Sequence, residues 1–188
     1  MRLPLRILLT ALLPIQNLMA AGVHQHGAAQ LDMVIEPPLM AISFSSPLAN
    51  LTGFEHRPSS DAEQQSWDDT LAQLQRAEEL IQLSAEADCS LSRVDLHLPF
   101  TAKSRIQSNE HEHEHEHEHA HDDVSQNSHA DLMAEYQYLC ANSPALKVLQ
   151  LPLMQRFPAI ELLEVQMVTP SGQHQRTLTA KQTGLQLP

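Results

Sequence analysis

The histidines between Glu110 and Asp123 are the residues best suited to chemistry in this sequence. Six imidazoles fall within eleven residues and alternate mostly with glutamates; they are His111, His113, His115, His117, His119 and His121. An extended chain places all six on one edge, and a helix brings histidines four apart onto one face. Two or three imidazoles can then bind one zinc, copper or nickel ion. This histidine tract, residues 111–121, is predicted to bind metal, the alternative being a solvated low-complexity run without a ligand.

A second group of histidines lies outside the tract. His24 and His26 are two residues apart near the N terminus, and His56 follows the first two predicted strands. Two to four converging ligands of this kind make a fixed zinc site. We therefore predict an ordered site around His24, His26 and His56, to which Glu55 or His97 adds a ligand. The alternative for each single histidine is an ordinary surface or core residue.

Two cysteines occur in the sequence, Cys89 and Cys140. In an exported protein a single pair favours a disulfide. The alternative is that both are metal thiolates, but neither has a second cysteine at the short spacing of a zinc knuckle.

The N terminus predicts export. Two arginines and an almost uncharged run over residues 7–18 precede Met19-Ala20-Ala21, the order of a secretory signal peptide. Residues 1–20 are therefore expected to be removed, and a run of about a dozen apolar residues is too short for stable membrane insertion. Nine basic and 23 acidic side chains then remain, a net charge of −14. That charge disfavours a nucleic-acid partner and attracts cations.

The elements that must position these residues follow an α+β pattern. In chain order they are two paired strands within 29–45, a helix over 61–84, strands over 90–100 and 134–140, a short helix over 144–157, a hairpin over 161–180 and a short strand at 185–187. Residues 102–131 have almost no large apolar side chain, which predicts a disordered His/Glu-rich insert. Residues 21–188 are thus expected to form one zinc-binding domain, an antiparallel sheet with two helices and a disordered loop between two strands.

Several short runs point to a family. His24-Gln25-His26-Gly27 follows the predicted signal peptide, and the further runs are Ser46–His56, Ala87–Cys89 and Glu135–Cys140. With these runs the chain resembles the periplasmic zinc-uptake proteins called ZrgA over nearly its whole mature length. The resemblance implies a part in zinc import beside an ABC-type transporter, with the histidine tract as a metal-binding feature.

Two hypotheses follow, and a third is disfavoured. In the first, the protein captures Zn2+ in the periplasm and supplies it to components of an ABC-type zinc transporter. In the alternative, it is a periplasmic metal buffer or detoxification protein without a transporter partner. No enzyme is predicted: His115 and His119 with Glu116 match a His-Glu-x-x-His pattern, but the repeat lacks apolar residues to bury such a site. Zinc is favoured over copper because the cysteines are expected in a disulfide and the methionines are scattered, although ligand type alone leaves copper and nickel open.

Overall fold

The first hairpin lies at the centre of the main sheet. The computed structural model describes residues 25–100 and 130–188. Strands β1 (Ala28–Glu36) and β2 (Leu39–Pro47) pair antiparallel across Pro37-Pro38, which is joined by a cis peptide bond. Alternate residues of both strands are buried, as expected for strands with one face on a core. The predicted pair of strands is confirmed.

Four further strands complete this sheet: β4 (Cys89–His97), β5 (Asp131–Cys140), β7 (Leu162–Thr169) and β8 (Gly172–Thr179). The strand order is β4-β5-β2-β1-β7-β8. All neighbours are antiparallel except β1 and β7, which run parallel. The prediction of an antiparallel sheet therefore needs correcting at this pair, because the chain reaches β7 by a crossover and not by a hairpin. Asp131, assigned from the sequence to the insert, is the first residue of β5.

A small second sheet replaces the helix predicted over residues 144–157. That helix is wrong: the segment forms a 3₁₀ turn at Ser143–Ala145, strand β6 (Val148–Gln150) and a single turn, α4 (Leu153–Arg156). Strand β6 lies between β3 (Gln82–Leu83) and β9 (Gly184–Gln186). Proline at position 152 has no N–H to continue a helix, and the edges of β3 and β9 supply hydrogen bonds that the sequence pattern could not foresee.

The helix predicted over residues 61–84 is shorter than expected. Helix α2 (Asp61–Gln75) ends at Arg76, and α3 (Ala77–Leu80) follows before the chain enters β3. The hydroxyl of Tyr136 donates a 2.8 Å hydrogen bond to the carbonyl of Leu74, one of the carbonyls that a helix leaves unsatisfied at its C terminus. Tertiary contacts thus end α2 although its sequence favours a longer helix. A short helix that was not predicted, α1 (Leu48–Thr52), follows β2.

The main sheet has a buried face and an exposed face. The buried face carries the large core residues, among them Leu31, Ile42, Phe44, Tyr136 and Val165. Six of the seven large apolar side chains exposed in the described residues alternate with these and so lie on the opposite face: Val34, Leu39, Met133, Leu139, Leu162 and Val168. The main sheet therefore presents one face to the core and the other to solvent within the described part of the chain.

The disulfide predicted from the sequence is present. Cys89 and Cys140 are opposite each other on β4 and β5, with 3.8 Å between their Cα atoms, and their sulfurs are bonded. The bond joins the start of β4 to the end of β5. Among the helices of residues 25–100 and 130–188, none combines the length and apolar character that a membrane span requires.

Candidate metal-binding site

Asn50 fixes the segment that carries His26. Its side chain, in α1 and 5% exposed, accepts a 2.9 Å hydrogen bond from the Gly27 N–H and donates one of 2.9 Å to the Ala28 carbonyl. Gly27 has a φ of +83°, a left-handed conformation that glycine adopts without a steric cost. His26 is therefore placed at the start of β1 beside α1 and the loop that follows it.

His26 lies against a carboxylate from that loop. Its Nε2 is 2.9 Å from Oε1 of Glu55. Gly53, at a φ of +90°, ends α1 and turns the chain so that Glu55 returns toward β1. The side chain of His26 is 61% exposed and that of Glu55 is 25% exposed, so an ion can reach both from solvent. Imidazole nitrogen and carboxylate oxygen are both zinc ligands.

His56 is oriented by its neighbours and not by His26. Its ring stacks on Phe54, with 5.3 Å between the centroids, and its Nδ1 lies 2.8 Å from the carbonyl of Arg57. A carbonyl can only accept, so Nδ1 is the donor of this hydrogen bond, and in the neutral ring Nε2 is the nitrogen with a lone pair for a cation. That Nε2 is 3.8 Å from Oε1 of Glu63. The hydrogen bond of Nδ1 thus orients the ring so that Nε2 is the nitrogen available to a zinc ion.

Glu63 is a polar partner that the sequence analysis missed. Hydrogen bonds from the backbone N–H and then the hydroxyl of Ser59, each 2.7 Å, lower the pKa of Glu63. The Ser60 hydroxyl accepts a hydrogen bond from the Glu63 N–H at the start of α2. Serine at position 60 with glutamate three residues later is the spacing of a helix capping box, which was the available signal. The carboxylate next to His56 is therefore ionised and fixed at neutral pH.

The predicted ligands occur as separate pairs. His26 lies with Glu55, His56 with Glu63, and His97 lies 3.5 Å from Oε2 of Glu135 on β5. His97 therefore does not join His26. Within residues 25–100 and 130–188, no three histidine, cysteine, aspartate or glutamate side chains are close enough to bind one metal ion together. His24 and the six histidines of the tract lie outside the described residues.

Both ends of the segment that carries the tract are attached at one end of the main sheet. At one end, the ring of Phe100 lies 5.4 Å from the guanidinium of Arg57 and 5.9 Å from the ring of Trp67. At the other end, the carbonyl of Ala130 accepts a 2.7 Å hydrogen bond from the N–H of Leu48 at the start of α1. The start of β1, the end of β2, the end of β4 and the start of β5 all lie at this end of the sheet. The segment that carries the tract therefore leaves the described fold beside Arg57, the neighbour of His56, and re-enters it beside α1, which also holds the start of β1 through Asn50.

Comparison with protein-family models matches residues 23–187 to the ZrgA family of zinc uptake proteins. The chain belongs to the ZrgA family. This confirms the resemblance drawn from the sequence runs and associates the protein with zinc and zinc transport. A search of curated proteins gives no match. For a ZrgA family member, the disulfide between β4 and β5 agrees with a location outside the cytoplasm, where disulfides persist.

Each described His–carboxylate pair offers one imidazole nitrogen and one carboxylate oxygen to an ion, and both atom types are zinc ligands.

Proposed function

We propose that this protein captures zinc in the periplasm and supplies it to an ABC-type zinc importer, acting as a binding protein without catalytic activity. Membership of the zinc-uptake family supports the choice of ion and the direction of use. The chain has 23 acidic and 11 basic side chains, a net charge of −12, and this also supports zinc binding, since a negatively charged chain attracts cations.

The attachment of the tract beside the ordered pairs is the observation that carries the proposal. His111 is eleven residues after Phe100, and a chain of that length spans up to about 36–40 Å when extended. Strands β4 and β1 are three strand spacings apart in the sheet, about 15 Å, so this length allows tract imidazoles to reach His26 and Glu55 within one molecule. In this mechanism the tract binds zinc first, in several competing registers, and the ordered pairs receive it by ligand exchange.

A direct test uses the stoichiometry and affinity of zinc binding by the full mature chain. A variant with all six tract histidines replaced by serine should bind fewer ions and keep at least one tighter site. A second variant, His26→Ala with His56→Ala, should lose the tighter site and keep the weaker ions of the tract. His174→Ala is the matched control, because His174 is a half-buried histidine on β8 whose described partner is the Ser171 hydroxyl at 3.2 Å; it should match the unchanged chain.

Two results would contradict this division of roles. If the six serine substitutions abolish all zinc binding, there is no ordered site and the protein is a metal buffer built on its tract. If those substitutions leave the stoichiometry unchanged, the tract is a solvated linker.

Growth of the source organism separates uptake from the alternative of a buffer or detoxification protein. Removing the gene should impair growth when a chelator limits zinc, and the unchanged gene should restore it. A strain that grows normally under zinc limitation but is sensitive to excess zinc would instead support detoxification.

A further inference from the structure

His97 and Glu135 form a pair on the exposed face of the main sheet, away from His26. A β-bulge between Leu91 and Arg93 shifts the register of β4 by one residue, which reverses the faces of all residues that follow. Residues 89 and 91 share the face of the disulfide, whereas His97 and Asp95 lie on the other face. The bulge therefore turns His97 outward, onto the face that carries Glu135.

The spacing of the pair is that of two metal ligands. Nε2 of His97 is 3.5 Å from Oε2 of Glu135, longer than the 2.7–3.2 Å of a good hydrogen bond. In a tetrahedral zinc site with ligand bonds of 2.0–2.2 Å, adjacent nitrogen and oxygen ligands are about 3.3–3.5 Å apart. An ion can thus bind between these two atoms with little movement, whereas the 2.9 Å contact of His26 with Glu55 must first open.

The charges around the pair favour a cation. Asp95 lies directly opposite Glu135 on the neighbouring strand, and like charges in that position destabilise a sheet. Arg93 binds both oxygens of Asp95 and interacts more weakly with the charge of Glu135, so one cation faces two carboxylates and the local charge stays negative. The side chains of His97 and Glu135 are 58% and 43% exposed, which leaves them open to an ion from solvent.

We propose that Nε2 of His97 and Oε2 of Glu135 bind one zinc ion, with water in the remaining positions, independently of the His26 pair. The proposal rests on the zinc-binding role proposed above and adds a second ordered acceptor at the same end of the main sheet. The end of β4, where His97 lies, leads directly into the segment that carries the tract. Zinc arriving on the tract then has a second ordered acceptor at the end of the sheet where that segment leaves the fold.

The test is a zinc titration of the full mature chain, with the tract histidines replaced by serine, followed by nitrogen-15 NMR of the histidine side chains. His97→Ala, His26→Ala and His174→Ala assign the three signals. Zinc should shift the His97 Nε2 signal. Glu135→Gln should raise the zinc concentration at which this shift is half complete at least about tenfold, as the loss of metal-site groups does. Glu164→Gln is the control, because Glu164 is exposed on the same face and lies opposite Gln30 and Thr177; it should leave the midpoint unchanged.

The titration separates this inference from the proposed function. The inference is overturned if the His97 signal shifts only together with that of His174. It is also overturned if Glu135→Gln leaves the midpoint of the His97 response unchanged while the His26 signal still responds to zinc. If the His26 signal is also silent, and the unchanged chain binds no zinc through its tract, the proposed function fails with it.

Discussion

Replacing Asn50 by alanine should loosen the segment that carries His26 and weaken zinc binding there. The substitution removes the acceptor for the Gly27 N–H and the donor to the Ala28 carbonyl, both at 2.9 Å. It also removes a 3.2 Å hydrogen bond to the Ser46 hydroxyl. Because Asn50 is 5% exposed, water has little access to replace these bonds.

The expected loss of stability follows from the number of bonds. A hydrogen bond contributes about 0.5–1.5 kcal/mol net, so three together contribute about 2–4 kcal/mol. A domain stable by about 5–15 kcal/mol remains folded after such a loss. Its His26, however, is no longer fixed beside Glu55, and zinc affinity at that pair should fall about tenfold, as it does when groups that orient a ligand are removed.

Urea unfolding and the zinc response of the His26 NMR signal measure the two effects. Asn142→Ala is the matched control: the exposed Asn142 side chain makes one hydrogen bond, 2.8 Å to the Glu86 carbonyl, and its loss should cost about 0.5–1 kcal/mol. Equal losses of stability in the two variants would refute the structural argument. A large loss of stability in Asn50→Ala with unchanged zinc affinity would show that Asn50 supports the fold without positioning His26.

Four further predictions concern the stability of the fold, each measured by urea unfolding. Tyr136→Phe should cost about 1–3 kcal/mol because a buried carbonyl at the end of α2 loses its donor. Tyr138→Phe should leave the free energy of unfolding unchanged, since the buried Tyr138 hydroxyl has no hydrogen-bond partner among the described residues. An equal loss of stability in the two tyrosine variants would contradict both predictions. Reducing the Cys89–Cys140 disulfide, which closes a loop with a sequence separation of 51, should lower the free energy of unfolding by about 4 kcal/mol in the chain-entropy model. An unchanged urea midpoint would show that the disulfide does not restrict the unfolded chain in this way. Because the pKa of Glu63 is lowered in the fold, its ionised carboxylate stabilises the folded state at neutral pH. Glu63→Gln should therefore be less stable than the unchanged chain at neutral pH, and the two should become equally stable only after acid protonates Glu63.

Strand positions were the part of the fold most accessible to prediction. Alternation of Leu31, Met33 and Ile35 and the turn at Pro37-Pro38 are local signals, and the structure follows them. The parallel pairing of β1 with β7 was not accessible, because the partners are more than 120 residues apart. The small second sheet was missed for the same reason, since strands of two or three residues form only where edges from distant segments meet.

The candidate site was predictable in its residue types but not in its pairs. Histidine next to glutamate at positions 55 and 56 signalled a ligand set, yet the chain turns Glu55 toward His26 and His56 toward Glu63. Glu135 gave no signal because its contact with His97 depends on the bulge in β4. A single-residue shift of register cannot be read from a pattern of period two.

Under the proposed function, the neighbouring positions of β4 and β5 make zinc capacity a trait that can change separately from the fold. These strands pair along their length and are joined at the far end by the disulfide, so the two ends of the segment between them meet whatever its length. Doubling the length of a flexible loop adds only about 0.6 kcal/mol of closure cost. Relatives of this protein could therefore gain or lose imidazoles in this segment, and so adapt to scarce or abundant metal, while the sheet and its ordered pairs stay the same.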